Sequence, residues 1–306
     1  MRERPKRIVV LDVDETIGYF VELGIFCDAL VQTAWNHDAT AQYAHFNALM
    51  DAFPEFLRPN IIDILRFLKR KKDTDECCGV MIYTNNTGPR AWVEHIIKYM
   101  ESKLGAPLFD QIVAAFKVNG KIIEMGRTTH NKTYDDLLRC TKLPSNVEVC
   151  FLDDQMHTRM EHGQVYYINV KPYVHQLSVQ TLMDRFLQTP ALRSTTGANP
   201  ADLRHRVSVV MQRFSATYAP KDPMEQEIDC IISKKIMEHL NEFFNGTPFN
   251  DATSSMSMPL GSSSSSSSPS SASSSSSSSS SYLRSTSLKL GHSARNSKTK
   301  TMKKKL

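Results

Sequence analysis

The chain lacks the sequence features of membrane and secreted proteins. No stretch approaches the roughly 18 consecutive apolar residues that would span a bilayer, and the apolar run that follows residues 1–7 is too short for a signal peptide. The six cysteines have no paired spacing of the kind that holds a metal. We therefore expect a soluble intracellular protein, cytoplasmic or nuclear, in a reducing compartment and without a membrane partner.

The chain also lacks an excess of positive charge outside its last segment. The formal net charge is +5, but residues 284–306 hold eight Lys or Arg and no acidic residue, so the remainder has a charge of −3. The basic character belongs to a tail, and nucleic acid is not an expected partner of the folded part. With 306 residues, of which 41% are hydrophobic, at least one folded domain is expected.

Short β-branched runs alternate with longer stretches of helical periodicity, which predicts an α/β fold with a parallel sheet. The four predicted strands are Ile8–Leu11, Val80–Tyr83, Val149–Leu152 and Val165–Val170. Two amphipathic crossover helices are also predicted. One has Pro59 at its first position and an apolar stripe over 61–68, and the other has an apolar stripe over 92–104.

Three further regions accompany this core, which we place at 1–189. Residues 20–57 are too apolar and periodic for a structureless loop and predict a helical insert after the first strand. Two helices, Ala201–Phe214 and Gln226–Phe244, predict a C-terminal helical extension over 190–250. Residues 251–306 hold serine tracts and the basic end, and we expect them to be disordered because they lack apolar side chains to offset the entropy of ordering.

Two aspartates follow the first predicted strand. Asp12 emerges at the carboxyl edge of the sheet, where open α/β sheets bind ligands. A carboxylate in this place can attack phosphorus and form an aspartyl-phosphate, provided that a cation suppresses the repulsion between the two anions. Asp14 lies on the same side of an extended backbone and is the natural general acid and base.

Polar side chains follow the second strand as well. Thr84 and Asn85 offer a hydroxyl and an amide just before a helix that begins near Pro89. Hydroxyl, amide and helix N-terminal N–H groups together suit a phosphate group. Thr84 and Asn85 are therefore candidate phosphate-binding residues.

Adjacent carboxylates, Asp153 and Asp154, follow the third predicted strand. Such a pair is unfavourable unless a cation or a donor stabilises it. Mg²⁺ prefers hard oxygen ligands of this kind. We therefore expect Mg²⁺ as cofactor, with Asp12, Asp14, Asp153 and Asp154 as its ligands.

A basic side chain is still needed to balance the phosphoryl oxygens. Lys132 is the favoured candidate because it precedes the helix that leads to the third predicted strand. Lys121, Arg127 and His130 are the alternatives.

These motifs, in this order, resemble the haloacid dehalogenase superfamily of phosphohydrolases. The resemblance rests on Asp12-x-Asp14-x-Thr16, then Thr84, then Lys132, then Asp153-Asp154. Within that superfamily the chain resembles the phosphatases similar to NLI-interacting factor, which are related to the polymerase C-terminal-domain phosphatases. This closer likeness rests on Leu11–Thr16, Leu57–Pro59, Tyr83-Thr84, Phe151–Asp154, Tyr167–Pro172 and the helix 177–187.

The resemblance implies a Rossmann-like core and a role for each motif residue. Asp12 would be the nucleophile, and Asp14 would be the general acid and base, with its backbone carbonyl also offered to Mg²⁺. Thr84 and Lys132 would hold the phosphoryl group. Asp154 would be the main second metal ligand, supported by Asp153.

The leading functional hypothesis is therefore a Mg²⁺-dependent phosphomonoesterase acting on phosphoserine or phosphothreonine in a protein. A second hypothesis keeps the site but assigns it a small phosphometabolite, a nucleotide or a nucleic-acid end, with the insert as a cap over the cleft. A third is a non-catalytic scaffold that recruits partners through its helices and tail. Long homopolymer tracts beside an enzyme domain are also typical of proteins of large DNA viruses and protists.

Overall fold

A five-stranded parallel sheet forms the centre of the computed structural model, which describes residues 6–35, 39–212 and 220–246, with the backbone alone for 39–44. The strands are β1 (Arg7–Leu11), β2 (Gly79–Tyr83), β3 (Phe109–Val113), β6 (Glu148–Asp153) and β7 (Val165–Asn169), in the order β3-β2-β1-β6-β7. A small antiparallel hairpin is formed by β4 (Lys117–Val118) and β5 (Lys121–Ile122). The predicted α/β fold with a parallel sheet is confirmed.

Helices cover both faces of the sheet. They are α1 (Val21–Thr33), α2 (Ala39–Ala52), α3 (Ile61–Asp73), α4 (Arg90–Leu104), α5 (Tyr134–Thr141), α6 (Val179–Gln188), α7 (Pro190–Arg193), α8 (Pro200–Gln212) and α9 (Pro223–Asn245). Two short 3-10 turns lie at Pro54–Phe56 and Thr158–Met160. None of the described helices is both long and apolar enough to cross a membrane. The predicted tail, 251–306, lies outside the described residues.

The inner strands are nearly continuous apolar runs because both of their faces are buried. One face, with Val9, Leu11 and Leu152, packs against most of the helices. The other face, with Val10 and Phe151, packs against α5 and the segments around it. Alternate residues of each strand thus contribute to two separate cores.

Small differences from the predicted elements have local causes. The sequence did not predict β3, since an edge strand containing Asp110 and Gln111 has no continuous apolar run. The helix expected to begin at Pro59 begins at Ile61, because Asn60 has a left-handed backbone (φ 59°) that separates the proline from the helix. Asp153 is the last residue of β6 rather than the first after it.

The region after β1 is helical, as predicted, and belongs to the main core. Helix α1 packs against α8, and α2 packs against α4, α6 and α7. Helix α9 packs against α3 and β7. The apolar side chains of α1, α8 and α9 are therefore part of one continuous core with those of the sheet.

A substitution at Phe26 would test how much α1 contributes to this core. The Phe26 ring is fully buried and contacts Phe53 and Phe186 edge to face, each at 6.0 Å between ring centroids. Phe26→Ala should lower the free energy of unfolding by about 3–5 kcal/mol, since it removes a buried ring from a packed core. Urea unfolding would measure the change, with Phe26→Leu as the control expected to cost less. An Ala variant as stable as the wild type would show that α1 packs loosely.

Candidate active site

The ends of β1, β2 and β6 bring the motif residues to one edge of the sheet. Strand β1 lies between β2 and β6, so the residues that follow or end these three strands are neighbours. The Asp12 amide donates to the Leu152 carbonyl at 2.9 Å, which continues the pairing of β1 with β6 past the last strand residue. The Thr84 amide donates to the Val113 carbonyl at 3.0 Å in the same way. The order of the strands therefore brings together residues that are about 140 positions apart in sequence.

Three carboxylates converge at this edge. Asp12, Asp153 and Asp154 each offer an oxygen, and these oxygens all lie within 4.8 Å of one another. Asp12 and Asp153 are buried, and Asp154 is half-buried. The Thr16 hydroxyl fixes Asp154, since it donates to Oδ1 at 3.1 Å and accepts from the Asp154 amide at 3.0 Å.

Lys132 lies between two of these carboxylates. It is 1% exposed, and its Nζ donates to Asp12 Oδ1 and to Asp153 Oδ2, at 2.6 Å in each case. The rings of Tyr83 and Phe151 lie 5.7 and 5.8 Å from the ammonium group. Lys132 is thus held by two carboxylates and lies beside two aromatic rings.

The segment that presents Lys132 is fixed by the start of α5. Thr133 caps that helix, because its hydroxyl accepts from the Asp136 amide at 3.0 Å. The Thr133 amide in turn donates to the Tyr83 hydroxyl at 3.2 Å. The position of the lysine is therefore determined by a helix cap and by a residue of β2.

The three carboxyls have pKa values that are shifted in different directions. Burial raises the pKa of Asp12 well above its usual value, and Lys132 only partly opposes the effect. Burial, with the neighbouring Asp153, raises the pKa of Asp154 to about 7. The pKa of Asp153 is lowered instead, because the combined effect of Lys132 and the His157 side chain exceeds that of burial. Asp12 and Asp154 therefore hold protons more strongly than free carboxyls do, and Asp153 holds its proton less strongly.

Asp14 is positioned differently from the other three aspartates. Its carboxylate is not part of the converging group of three found among the described residues, and it accepts from Asn86 Nδ2 at 2.7 Å. Asn86 is fixed in turn. Its backbone N–H donates to Thr84 Oγ1 at 3.0 Å, and its side-chain Oδ1 accepts from the Gly88 backbone N–H at 2.8 Å. Asn86 therefore links the loop after β2 to Asp14.

Asn85 and the alternative basic residues lie in other surroundings. Asn85 Oδ1 accepts from Arg127 at 2.8 Å. Arg127 is buried and also donates to the backbone carbonyls of Thr84, Ala114 and His130. Lys121 and His130 are exposed. Of the four basic residues considered from sequence, Lys132 is the one that the described contacts bring to the aspartates.

His157 is a nearby residue that sequence reasoning missed. It is buried, and its Nε2 lies 3.6 Å from Asp153 Oδ1. Its backbone amide donates to the Tyr167 hydroxyl at 3.1 Å. The side chain reaches Asp153 from an irregular loop rather than from a helix or strand, so no periodic sequence pattern indicates this contact.

Comparison of the chain with protein-family models, with curated proteins and with solved structures gives no match. The site is therefore interpreted from its own geometry and chemistry.

Proposed function

We propose that the chain is a Mg²⁺-dependent phosphomonoesterase that acts through an aspartyl-phosphate on Asp12, with phosphoserine or phosphothreonine in proteins as its substrate. The observation that carries the proposal is the Lys132 ammonium between Asp12 and Asp153 at the carboxyl edge of a parallel sheet. Lys132 binds one oxygen of Asp12 and leaves the second oxygen for attack on phosphorus. In the proposed complex, the Lys132 ammonium would also stabilise the negative charge on the phosphoryl oxygens.

The donor set supports a hard divalent cation. Three carboxylates with oxygens within 4.8 Å of one another offer the ligand type that Mg²⁺ prefers. Burial raises the pKa values of Asp12 and Asp154 even with Lys132 present, so a further cation at these oxygens would favour their ionised forms. Mg²⁺ bound by Asp12, Asp153, Asp154 and the Asp14 carbonyl would reduce the repulsion between the attacking carboxylate and the phosphate.

The protein side chains divide the reaction into two displacements at phosphorus. In the first, an Asp12 oxygen attacks phosphorus, the bond to the leaving oxygen breaks, and Asp14 donates a proton to that oxygen. In the second, Asp14 takes a proton from water, the water oxygen attacks phosphorus, and the bond to Asp12 breaks. Each in-line step inverts phosphorus, and Asn86 holds the Asp14 carboxylate in place throughout.

The packing of the helical insert favours a protein substrate over a small metabolite. Helices α1 and α2 contact α4, α6, α7 and α8, and the buried side chains of α1 are part of the core on one face of the sheet. Asp14, Asp154 and Asn86 are half-exposed at the edge. In this proposal a phosphorylated side chain of a larger molecule would reach Asp12 past these partly exposed residues.

A substrate comparison tests the proposal. Phosphoserine and phosphothreonine peptides should be hydrolysed with Mg²⁺, should not be hydrolysed when the metal is chelated, and should be better substrates than sugar phosphates and nucleotides. Rapid turnover of a small metabolite with inert phosphopeptides would overturn the assigned substrate. No turnover of any phosphomonoester, with or without Mg²⁺, would overturn the enzyme itself and favour a scaffold.

Binding of Mg²⁺ should become stronger as pH rises, because the pKa values of Asp12 and Asp154 are raised. The folded chain without a cation holds protons on Asp12 and Asp154 more strongly than the unfolded chain does. The Asp154 carboxyl therefore makes the free energy of unfolding fall as pH rises from about 4 to about 7, and Asp12 contributes in the same direction. Because Mg²⁺ competes with protons, it should raise the Tm more at about pH 8 than at about pH 6.

Thermal unfolding with and without Mg²⁺ would measure both increases in Tm. Asp154→Asn, which removes one of the two titrating carboxyls, should reduce the difference between the two pH values. A Tm that Mg²⁺ leaves unchanged at both pH values would argue against a magnesium site.

A further inference from the structure

Arg58 holds the loop that carries Asp14 and Thr16. This guanidinium is 1% exposed, and it donates from Nε to the Thr16 carbonyl at 2.6 Å and from Nη2 to the Glu15 carbonyl at 2.8 Å. Nη2 also donates to the Lys171 carbonyl at 2.9 Å. The loop contains a residue in the left-handed region, Glu15 at φ 61°, which a non-glycine residue adopts only when its surroundings impose it. Arg58 supplies much of that constraint.

Tyr173 connects this loop to the C-terminal part of the chain. Its backbone amide donates to the Glu15 carbonyl at 2.7 Å. Its ring lies 5.4 Å from the Arg58 guanidinium and 4.4 Å from the Lys221 ammonium, both measured to the ring centroid. The Tyr173 hydroxyl donates to the Glu55 carbonyl at 2.7 Å, which keeps the ring in place. Two cations therefore contact one fixed aromatic ring.

Asp229 on α9 supplies the negative charge for this cluster. Its side chain is 3% exposed and forms an ion pair with Lys221, whose Nζ also donates to the Val174 carbonyl at 2.6 Å. Burial lowers the pKa of Arg58 to about 10, and Asp229 is the charge that most opposes this effect. Arg58 Nη1 is buried with no hydrogen-bond partner among the described residues, so the guanidinium depends on nearby negative charge.

We propose that Asp229 and Lys221 are positioning residues for the active site, acting through Tyr173 and Arg58 on the loop that carries Asp14 and Thr16. The effect on catalysis rests on the proposed function, whereas the effect on the loop does not. Loss of the Asp229 charge leaves Lys221 and Arg58 as two cations beside the Tyr173 ring without that carboxylate, and Arg58 then holds the loop less firmly.

The loop itself provides a measurement that is independent of activity. The amides of Glu15 and Ile17 are hydrogen-bonded to the carbonyls of Gly18 and Val13, so they exchange slowly with solvent while the loop is intact. In the full-length Asp229→Asn variant, these amides should exchange faster, while amides of α4 exchange as in the wild type. Glu238→Gln is the matched control, since it removes an exposed carboxylate from the same helix that pairs with Lys235. Unchanged exchange in the 13–18 segment would overturn the proposal.

Kinetics with an aryl phosphate and Mg²⁺ provide the second measurement. Asp229→Asn should lower kcat on the order of 10-fold with little change in KM, which is less than the roughly 100-fold that a 1 Å misplacement of a catalytic group can cost. Glu238→Gln should retain the wild-type kcat. A kcat that falls only in proportion to the folded fraction would overturn the proposal.

A further variant keeps the proposal testable if Asp229→Asn does not fold. Lys221→Met removes the ammonium on Tyr173 and should increase exchange in the same 13–18 segment, and unchanged exchange would again overturn the proposal. Inactivity of the wild-type protein on every phosphomonoester would instead overturn the proposed function, and the exchange of the loop amides would still decide the positioning role.

Discussion

Asp12→Asn should abolish phosphatase activity while leaving the fold intact. An amide oxygen is a poor nucleophile, and no covalent intermediate forms without the carboxylate. The loss should be on the order of 10⁵-fold or more in kcat, as for other enzymes that lose their covalent nucleophile. The substitution is nearly isosteric, it replaces a carboxyl whose pKa is raised by burial with a neutral amide, and Lys132 keeps Asp153 as its partner, so the Tm should be unchanged or higher.

Hydrolysis of an aryl phosphate with Mg²⁺, together with thermal unfolding, would measure both effects. Asp63→Asn is the control, because Asp63 is an exposed aspartate on α3 that pairs with Arg66. That variant should keep wild-type activity and stability. Turnover retained in Asp12→Asn would refute the nucleophilic role.

Lys132→Met should have the second largest effect, because Lys132 contacts both the proposed nucleophile Asp12 and the proposed metal ligand Asp153. Methionine fills a similar volume, but it leaves the buried Asp12 without its ion-pair partner and leaves Asp153 with only the His157 side chain at 3.6 Å. Breaking a buried ion pair from one side costs about 3–5 kcal/mol of stability. We expect kcat/KM to fall about 10³-fold, the loss that follows removal of a strong electrostatic contact to a transition state.

A double variant separates these two consequences of losing Lys132. Asp12→Asn in the Lys132→Met background removes the unpaired charge, so it should recover part of the lost stability but none of the activity. Lys121→Met is the matched control, since Lys121 is exposed and was an alternative candidate for the same role. Wild-type kinetics in Lys132→Met, or a large loss in Lys121→Met, would show that another cation serves the site.

The strands and the acidic residues at their ends were predictable from sequence because each depends on local pattern. A short continuous apolar run predicts a central strand that is buried on both faces. A polar residue directly after such a run is expected at the carboxyl edge of the sheet. Ile8–Leu11 followed by Asp12 illustrates this, since β1 spans Arg7–Leu11 and Asp12 follows it directly. Periodicity likewise predicted α8 and α9. Where the structure describes a helix end, the predicted end lies within about three residues of it.

The contacts between side chains of different loops were not predictable in this way. Asn86 and Asp14 are 72 positions apart, and their hydrogen bond depends on the turn after β2, which no periodicity encodes. Lys132 was favoured from sequence over three other basic residues, but its contacts with Asp12 and Asp153 depend on the path of the chain between β3 and α5. The same holds for Asp229, whose relation to Arg58 exists only because α9 packs back onto the sheet.

The packing of the insert also required the structure. An apolar periodic segment after the first strand is compatible with a cap over the site or with a layer on the sheet face, because both bury an apolar stripe. The apolar residues of α1 pack into the core with α8, and α2 contacts α4, α6 and α7. The sequence therefore predicted that the insert is helical but not which of these two surfaces it covers.

Chemical trapping of the covalent intermediate tests the central role of Asp12 most directly. The protein would be mixed with substrate and Mg²⁺, quenched with acid during turnover and treated with borohydride, which reduces an aspartyl-phosphate to homoserine. Peptide mass spectrometry should then find homoserine at position 12, and not at position 14, in a substrate-dependent manner. Active protein that yields homoserine at another aspartate, or at none, would contradict the assignment of Asp12 as the nucleophile.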